Sequence, residues 1–430
     1  MHAWAALFVY ELEKQRTGQA DRAFLANSFH KLMKNFTWWL NRKDPDGRNV
    51  FQGGFLGLDN IGVFDRSAPL PTGGHLDQAD GTAWMALYAQ NLLEIAVELA
   101  TDDPVYEEQA LTLFEHFAWI SVAMNRMGAS NESLWDEEDG FFYDLLRLPD
   151  GGATRLKVRS LVGLLPLAAT TVIGGQVDSQ FPELVTRARE FIERHATVMG
   201  TVFAAGRGGP RVLGVGRRHL FALFDQNRLR RILERMLDEE EFFGSYGIRS
   251  VSRYHAEHPY SFWVHGQEYR VGYLPAESDT GMFGGNSNWR GPVWFPINML
   301  LIRALLNLYA FYGDAFTVEC PTGSGQQMNL YEVAREIAAR LTRIFLRDET
   351  GRRPVHGWQT KFQIDPHWRD LLLFYEYFHG DNGAGVGASH QTGWTGLAAV
   401  SAVLFHAVSA EDWLTHGREA FRPPTAEAAT

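Results

Sequence analysis

The stretch Phe283-Gly-Gly-Asn286-Ser-Asn288-Trp289-Arg290-Gly-Pro-Val-Trp294-Phe-Pro-Ile-Asn298 runs from a glycine-rich loop directly into an apolar spacing of three and four that continues to residue 312. Side chains repeating at that interval share one face of a helix. Amides, indoles and a guanidinium therefore gather just before a helix entrance. Such a mixture suits a sugar ring, because Trp faces cover the C–H side of a pyranose while Asn and Arg bond its hydroxyls. A purely structural loop seldom needs so many exposed donors.

Outward from this segment the same apolar interval recurs over residues 4–14, 24–40, 82–99, 106–124, 184–195, 221–237, 330–346 and 393–408, so helix dominates the chain. The connections 44–74, 128–152 and 245–292 are rich in Gly, Asp and Pro and far exceed the usual run of about four to six residues. Loops of that length carry function. About ten helices joined by alternating short and long connections predict an all-α fold: an (α/α)6 barrel, a toroid of six helical hairpins with its long loops gathered at one end. A HEAT-like solenoid would show the same rhythm, and no repeat of fixed period is visible in the chain. No stretch resembles an interdomain linker, which predicts one catalytic barrel over 1–421. Pro423, Pro424 and the Ala- and Thr-rich end after them predict a disordered tail over 422–430.

Acidic residues outnumber basic ones by 51 − 40 = 11, which offers no basic footprint to nucleic acid or an anionic membrane. Cys320 stands alone, which excludes an intrachain disulfide framework and any multi-cysteine zinc site. No window reaches the eighteen or more uncharged apolar residues of a membrane span. The start Met1-His-Ala-Trp-Ala-Ala-Leu-Phe has neither the basic opening nor the cleavage site of a secretory signal, so the expected location is cytoplasmic. Aromatic residues make up 13% of the chain, more than a core alone usually needs, and their faces suit flat hydroxylated ligands.

Several carboxylates are placed where chemistry is possible. Asp59, beside Asn60 in the first long loop, is positioned either to orient a ligand hydroxyl or to satisfy loop amides as an Asx-turn. In Gly73-Gly-His75-Leu-Asp77-Gln78-Ala-Asp80-Gly-Thr-Ala-Trp84 two acids sit at a helix entrance, where an acid also complements the helix dipole. As a proton donor, one of them needs burial beside Trp84 with few cations nearby. Trp135-Asp-Glu-Glu-Asp139-Gly-Phe-Phe-Tyr143-Asp144 predicts a small β-hairpin with solvated turn acids, and it lacks the alternating oxygen ligands of a calcium loop. Glu376 is bracketed by Tyr375 and Tyr377, a costly setting unless the carboxylate is paired, with Arg369 or His379 for example, or working. Gln391-Thr-Gly-Trp394-Thr395 follows it.

Taken in order, these segments resemble the catalytic domain of glycoside hydrolase family 63, the processing α-glucosidases and bacterial mannosylglycerate hydrolase relatives, and more distantly trehalase. Asn288-Trp-Arg-Gly-Pro-Val-Trp294, the Trp135–Asp144 block and Gln391-Thr-Gly-Trp-Thr395 carry the likeness, which runs from about residue 24 to 407. It implies an (α/α)6 barrel that hydrolyses an α-glycosidic bond with inversion, using one acid and one base and neither cofactor nor metal. By position in the blocks, Asp80 corresponds to the general acid, Glu376 to the base, and Asp59 to the carboxylate holding the terminal sugar. Trp289, Arg290 and Trp294 correspond to subsite residues, with Gln78, Asn288 and Trp394 as further substrate contacts. Leu76 stands where the family carries a Glu four residues before the acid, which leaves Asp77 as the alternative acid.

The implied substrate is an α-linked di- or oligosaccharide, an α-glucoside or related α-mannoside, or a glycosyl-glycerate. Relatives continue far upstream, whereas this chain opens inside a helical pattern with no cap before Trp4. The expectation is that a first barrel helix and an N-terminal β-sandwich region are missing, leaving apolar surface for a partner chain. Two other functions remain open: a sugar epimerase or isomerase on the same barrel, for which His75, His265 and His390 lie in loops without a paired arrangement, and a non-catalytic carbohydrate-binding or scaffold fragment.

Overall fold

The apolar intervals become helices at nearly the expected positions. The computed structural model describes residues 2–42, 47–52, 58, 60–66, 68–125, 132–199, 213–279 and 288–420. The principal helices are α1 (His2–Thr17), α2 (Arg22–Leu40), α3 (Ala79–Ala100), α4 (Val105–Asn125), α5 (Pro182–Arg194), α6 (Gln226–Met236), α7 (Phe295–Tyr312), α8 (Leu330–Arg343), α9 (Leu397–Ala407) and α10 (Ala410–His416). Local signals set several starts. Asp21 accepts from Phe24 N–H at the head of α2, and Asp225 accepts from Arg228 N–H at the head of α6. Asn329 and Glu332 form a reciprocal capping box at the head of α8.

α1 packs on α2 and α3, α3 on α4, α7 on α8, and α9 on both α7 and α8. α3 and α7 are the most enclosed helices: Ala86, Ala89, Leu92, Ile95 and Ala96 of α3 and Leu301, Leu305 and Leu308 of α7 are at most 1% exposed. α7, extended to Ala315, is long and apolar enough to cross a membrane, yet 72% of its apolar 18-residue window is buried inside the protein, as in a core helix. Residues 421–430, which contain the expected tail, lie outside the described residues.

β structure is more extensive than the single hairpin expected. Among the described residues it comprises one three-stranded and six two-stranded sheets. All are short. They pair the backbone of the long loops, whose amides and carbonyls would otherwise be buried without partners. The expected hairpin is present, with Trp135 opposite Phe142 and Asp136 opposite Phe141. Its acids are not all solvated, however. Lys157 stands 3.1 Å from Asp136 and 3.2 Å from Asp139, and Tyr143 donates to Asp139, so two of the turn acids belong to a cross-linked ion cluster.

Candidate functional site

The entrance of α3 is assembled from three separate stretches. The strand His75–Asp77 pairs antiparallel with Asp144–Arg147, and Gln78 pairs with Phe51 across an isolated bridge. Asp144 Oδ1 accepts from Ala79 N–H at 2.8 Å and so occupies an amide at the helix start. Asp80, in the first turn, is fully buried. Arg66 donates to both of its oxygens, at 2.7 and 2.5 Å, and to Asp144 Oδ2 at 3.0 Å. One guanidinium thus faces two buried carboxyls, a group one positive charge short of neutrality. Burial pushes the Asp144 carboxyl up to about 6 against the pull of Arg66, with the charge of Asp80 pushing in the same direction as burial.

Asp77 has its own partner. Arg147 Nε donates to it at 2.5 Å and Arg147 also reaches Glu132 at 2.8 Å. Burial nevertheless holds the Asp77 carboxyl above its ordinary range, with Arg147 opposing. Beside these acids, Gln78 Oε1 and Trp84 Nε1 are buried and have no hydrogen-bond partner among the described residues. The expectation of few cations around Asp80 is corrected: Arg66, fourteen residues upstream, lies against it.

The second part of the site is built on the segment that opens α7. Asn288, Trp289, Arg290 and Trp294 are all buried, between 0% and 4% exposed. Their polar atoms face inward: Asn288 Nδ2 donates to the carbonyls of Leu274 and Ala276, and Arg290 Nε to the carbonyl of Asn60 at 2.8 Å. Trp294 Nε1 donates to the carbonyl of Asn288. The expectation of exposed donors is therefore corrected, because these side chains pin loops together. Asn60 is the other half of the pin, accepting from Trp289 N–H at 2.8 Å. Only five residues separate Asn60 from Arg66, so one loop joins the Trp289–Arg290 segment to Asp80. Asp59 and Asn286 lie outside the described residues.

From this pin an aromatic stack leads to Glu376. Trp289 and Trp294 lie parallel at 3.8 Å, Tyr377 stacks on Trp294 at 4.6 Å, and Trp394 tilts against Trp294 at 5.4 Å. Of the four, Trp394 is the one that reaches solvent, at 37% exposure. Val293 exchanges both backbone hydrogen bonds with Phe378, which fixes the short strand Tyr377–Phe378 against the head of α7. Glu376, just before that strand, is half-buried, and its Oε2 accepts from Ala388 N–H at 3.3 Å. Gly387 turns the chain past it at φ +74°, and a Cβ there would stand 2.8 Å from Glu376 Oε2, so the close approach requires glycine. Arg369 pairs with Asp370, and His379 Nδ1 accepts from Asp381 N–H.

The structure thus connects Gln78, Asp80 and Asp77 to Asn288, Trp289 and Arg290 through one loop, and those in turn to Trp294, Trp394 and Glu376 through one stack. Arg66, Asp144 and Asn60 escaped the sequence reading as site residues. Only their side-chain partners, distant in sequence, reveal them. The cavity beside Arg66 and Asp144 is otherwise mostly apolar and is bordered by neither Asp80 nor Glu376.

Comparison with known proteins shows what the chain is similar to. Residues 219–395 match the family model described as the mannosylglycerate hydrolase MGH1-like glycoside hydrolase domain. That span contains Asn288, Trp294, Glu376 and Trp394 and excludes the α3 entrance. The chain is 48% identical over 412 residues to the uncharacterized protein YMR196W of Saccharomyces cerevisiae, covering 93% of this chain and 37% of that one. It is 25% identical over 173 residues to a probable mannosyl-oligosaccharide glucosidase of Schizosaccharomyces pombe, covering 40% of this chain and 15% of that one. The chain therefore spans well under half the length of these curated relatives. Among solved structures, the GH63 mannosylglycerate hydrolase of Thermus thermophilus in complex with glucose aligns at a TM-score of 0.47 and 15% identity, over 94% of this chain and 73% of that one. The matched span, residues 219–395, therefore resembles the glycoside hydrolase domain of family 63-like proteins.

Proposed function

We propose that the chain is an inverting glycoside hydrolase that cleaves an α-glycosidic bond in an α-linked di- or oligosaccharide or a glycosyl-glycerate, on an (α/α)6 barrel. The observation that carries this reading is the half-exposed Glu376, set beside an aromatic stack that ends in the solvent-reaching Trp394, within the span matched by the glycoside hydrolase model.

Direct displacement needs a carboxylic acid on the leaving oxygen and a carboxylate activating water on the opposite face, about 6.5–9.5 Å apart. Glu376 is the base: its carboxylate takes a proton from the attacking water while Trp394 covers the C–H face of the sugar. The acid comes from the α3 entrance, where Asp80 holds the family position. Gln78 supplies an unused acceptor for a sugar hydroxyl, and Asp59 holds the terminal sugar. A second reading makes Asp77 the donor. It is favoured by one observation: burial holds the Asp77 carboxyl above its ordinary range, whereas both Asp80 oxygens already accept from Arg66. An acid that must hand over a proton is hindered when a guanidinium occupies both its oxygens.

The test is incubation of the 430-residue chain with a panel of α-linked disaccharides and glycosyl-glycerates, following the first product anomer by NMR. The expected product is the β-anomer. An α-anomer would overturn inversion, and sugar binding without cleavage would favour a scaffold. Conversion of a free hexose to a different sugar would favour an epimerase.

A further inference from the structure

Toward the far end of α3, three helices and a strand pair leave a gap between them. The strand Thr171–Ile173 pairs antiparallel with His219–Phe221, with Ile173 opposite His219 and Thr171 opposite Phe221. Directly opposite residues share one face of a sheet. That face looks into a cavity of about 500 Å³, lined by Leu93 and Val97 of α3, Phe114 of α4, Ala188 of α5, and His219 and Phe221. Leu93 and Phe114 are each 3% exposed, and Phe114 meets Phe221 edge-on at 6.0 Å, which gives the cavity a buried floor. Val97, Ile173, Val185 and Ala188 also border it and are half-buried, so the rim is open to solvent. Leu93 and Val97 follow Asp80 along α3 by thirteen and seventeen residues, about 20–25 Å at the helical rise, so the cavity is separate from the α3 entrance.

Protein interiors pack as densely as organic crystals, and a void forfeits the contacts of the atoms on its wall. A cavity of this size, apolar with a polar group at one place, has instead the form of a ligand pocket. His219 is that polar group. Its Nε2 stands 2.9 Å from Asp178 Oδ1, and Asp178 follows Val177, another residue of the wall. Two guanidiniums reach the same carboxylate: Arg217 at 3.3 Å and Arg189, next to Ala188, at 3.8 Å. Both arginine side chains are open to solvent, at 71% and 44% exposure. One carboxylate facing two guanidiniums leaves one positive charge over at the rim. Arg217 also holds a left-handed backbone at φ +61°, a costly setting for a residue with a side chain and one that collects at ligand sites.

We propose that this cavity binds a fatty carboxylate, with its alkyl tail against the apolar wall and its head group on Arg217 and Arg189 beside Asp178. The two ends of such a molecule match the two parts of the site. An alkyl tail restores the contacts that the wall lacks, and each methylene that leaves water strengthens binding by about fourfold. A carboxylate accepts paired N–H bonds from a guanidinium and answers the unbalanced charge. An alcohol of the same length fills the cavity but leaves that charge unanswered, and a quaternary ammonium meets it with a like charge. The proposal involves neither Glu376 nor the α3 entrance, so it stands independently of the glycosidase reading.

The test is calorimetric titration of the 430-residue chain with hexanoate, octanoate and decanoate below their micelle-forming concentrations, with octanol and octyltrimethylammonium as controls. Affinity should rise by about fourfold per methylene, and octanoate should bind at least about threefold tighter than octanol, with the ammonium weakest. Ala188→Phe places a ring where methylenes of the tail would lie and should weaken decanoate at least about tenfold. Val185→Phe, on the same helix, serves as a second filling variant if Ala188→Phe lowers the urea midpoint. Arg189→Ala and Arg217→Ala combined should bring octanoate down to the affinity of octanol while leaving the dependence on tail length. No binding of decanoate to the wild type overturns the proposal, as does an affinity indifferent to tail length. Equal binding of the three head groups, or full decanoate affinity in a folded filling variant, overturns it as well. The tail-length series and the double arginine variant, whose changes are at the surface, decide the matter even if neither filling variant folds.

Discussion

The two carboxylate-bearing regions of this molecule differ in how their charge is balanced. At the α3 entrance, Asp80, Asp144 and Asp77 are buried and each faces an arginine. At the head of α7, Glu376 is half-buried, next to Tyr377 of the aromatic stack. The first arrangement resembles the ion networks that fix a fold, and the second resembles a surface prepared for a polar ligand. In sequence both read alike, as acids next to Trp or Tyr. The difference teaches that an acid beside an aromatic gains meaning from how deeply it is buried and from the partners that hold it there.

The sharpest way to break this contrast is Arg66→Met, which leaves Asp80 and Asp144 facing each other without their shared cation. Removing one partner from a buried ion cluster costs about 3–5 kcal/mol. Urea unfolding should therefore show a midpoint far below that of the wild type, and an unchanged midpoint would place the cluster outside the folded core. Next in size is Glu376→Gln, expected to lower turnover at least about a hundredfold, the low end of acid–base contributions. Because Glu376 is half-open, its unfolding midpoint should stay close to that of the wild type. A variant that loses stability and activity together would move Glu376 into the same structural class as Asp80.

A third comparison separates the two acids within the entrance. If the donor is Asp77, Asp77→Asn abolishes turnover while Asp80→Asn acts chiefly on stability. If it is Asp80, Asp80→Asn lowers turnover by about a hundredfold even after correction for the fraction folded. Steady-state rates paired with unfolding curves for both variants decide which.

Much of the frame was legible from apolar spacing. α3, α4, α7 and α8 stand where a three-and-four interval placed them, and the loop that opens α7 meets its helix at Phe295, one residue past the expected start. Apart from the Trp135–Phe142 hairpin, the small sheets were not legible, because strands of two to five residues are too short to show a clear period. The site was legible as a set of residues but not as a set of environments. Nothing in Asn60-Ile-Gly-Val-Phe-Asp-Arg66 announces that its ends grip Trp289 and Asp80, since a side-chain pairing between loops leaves no spacing signature. For the same reason, the donors of Asn288 and Arg290 looked free in sequence and proved engaged with backbone carbonyls.

The smallest expected effect refines the entrance itself and has a definite sign. The folded-state value of Asp144 is pushed up to about 6 from an ordinary aspartate's 3.8, so between those values the folded protein holds a proton that the unfolded chain has released. Stability falls wherever the folded state binds more protons than the unfolded state as pH rises. The contribution of this group is therefore greatest below the unfolded value, declines as pH climbs through the window up to about 6, and is flat above it. Most buried or paired carboxylates stabilised as anions behave in the opposite way. Asp144→Asn retains an oxygen for Ala79 N–H while removing the titration, so subtracting its urea-derived stability from that of the wild type across pH 4 to 7 isolates the slope. A difference that declines with pH supports a protonatable carboxyl beside Asp80. Parallel curves would mean that Arg66 holds Asp144 ionised in the folded protein as it is in the unfolded chain, which would remove the protonatable carboxyl from the entrance.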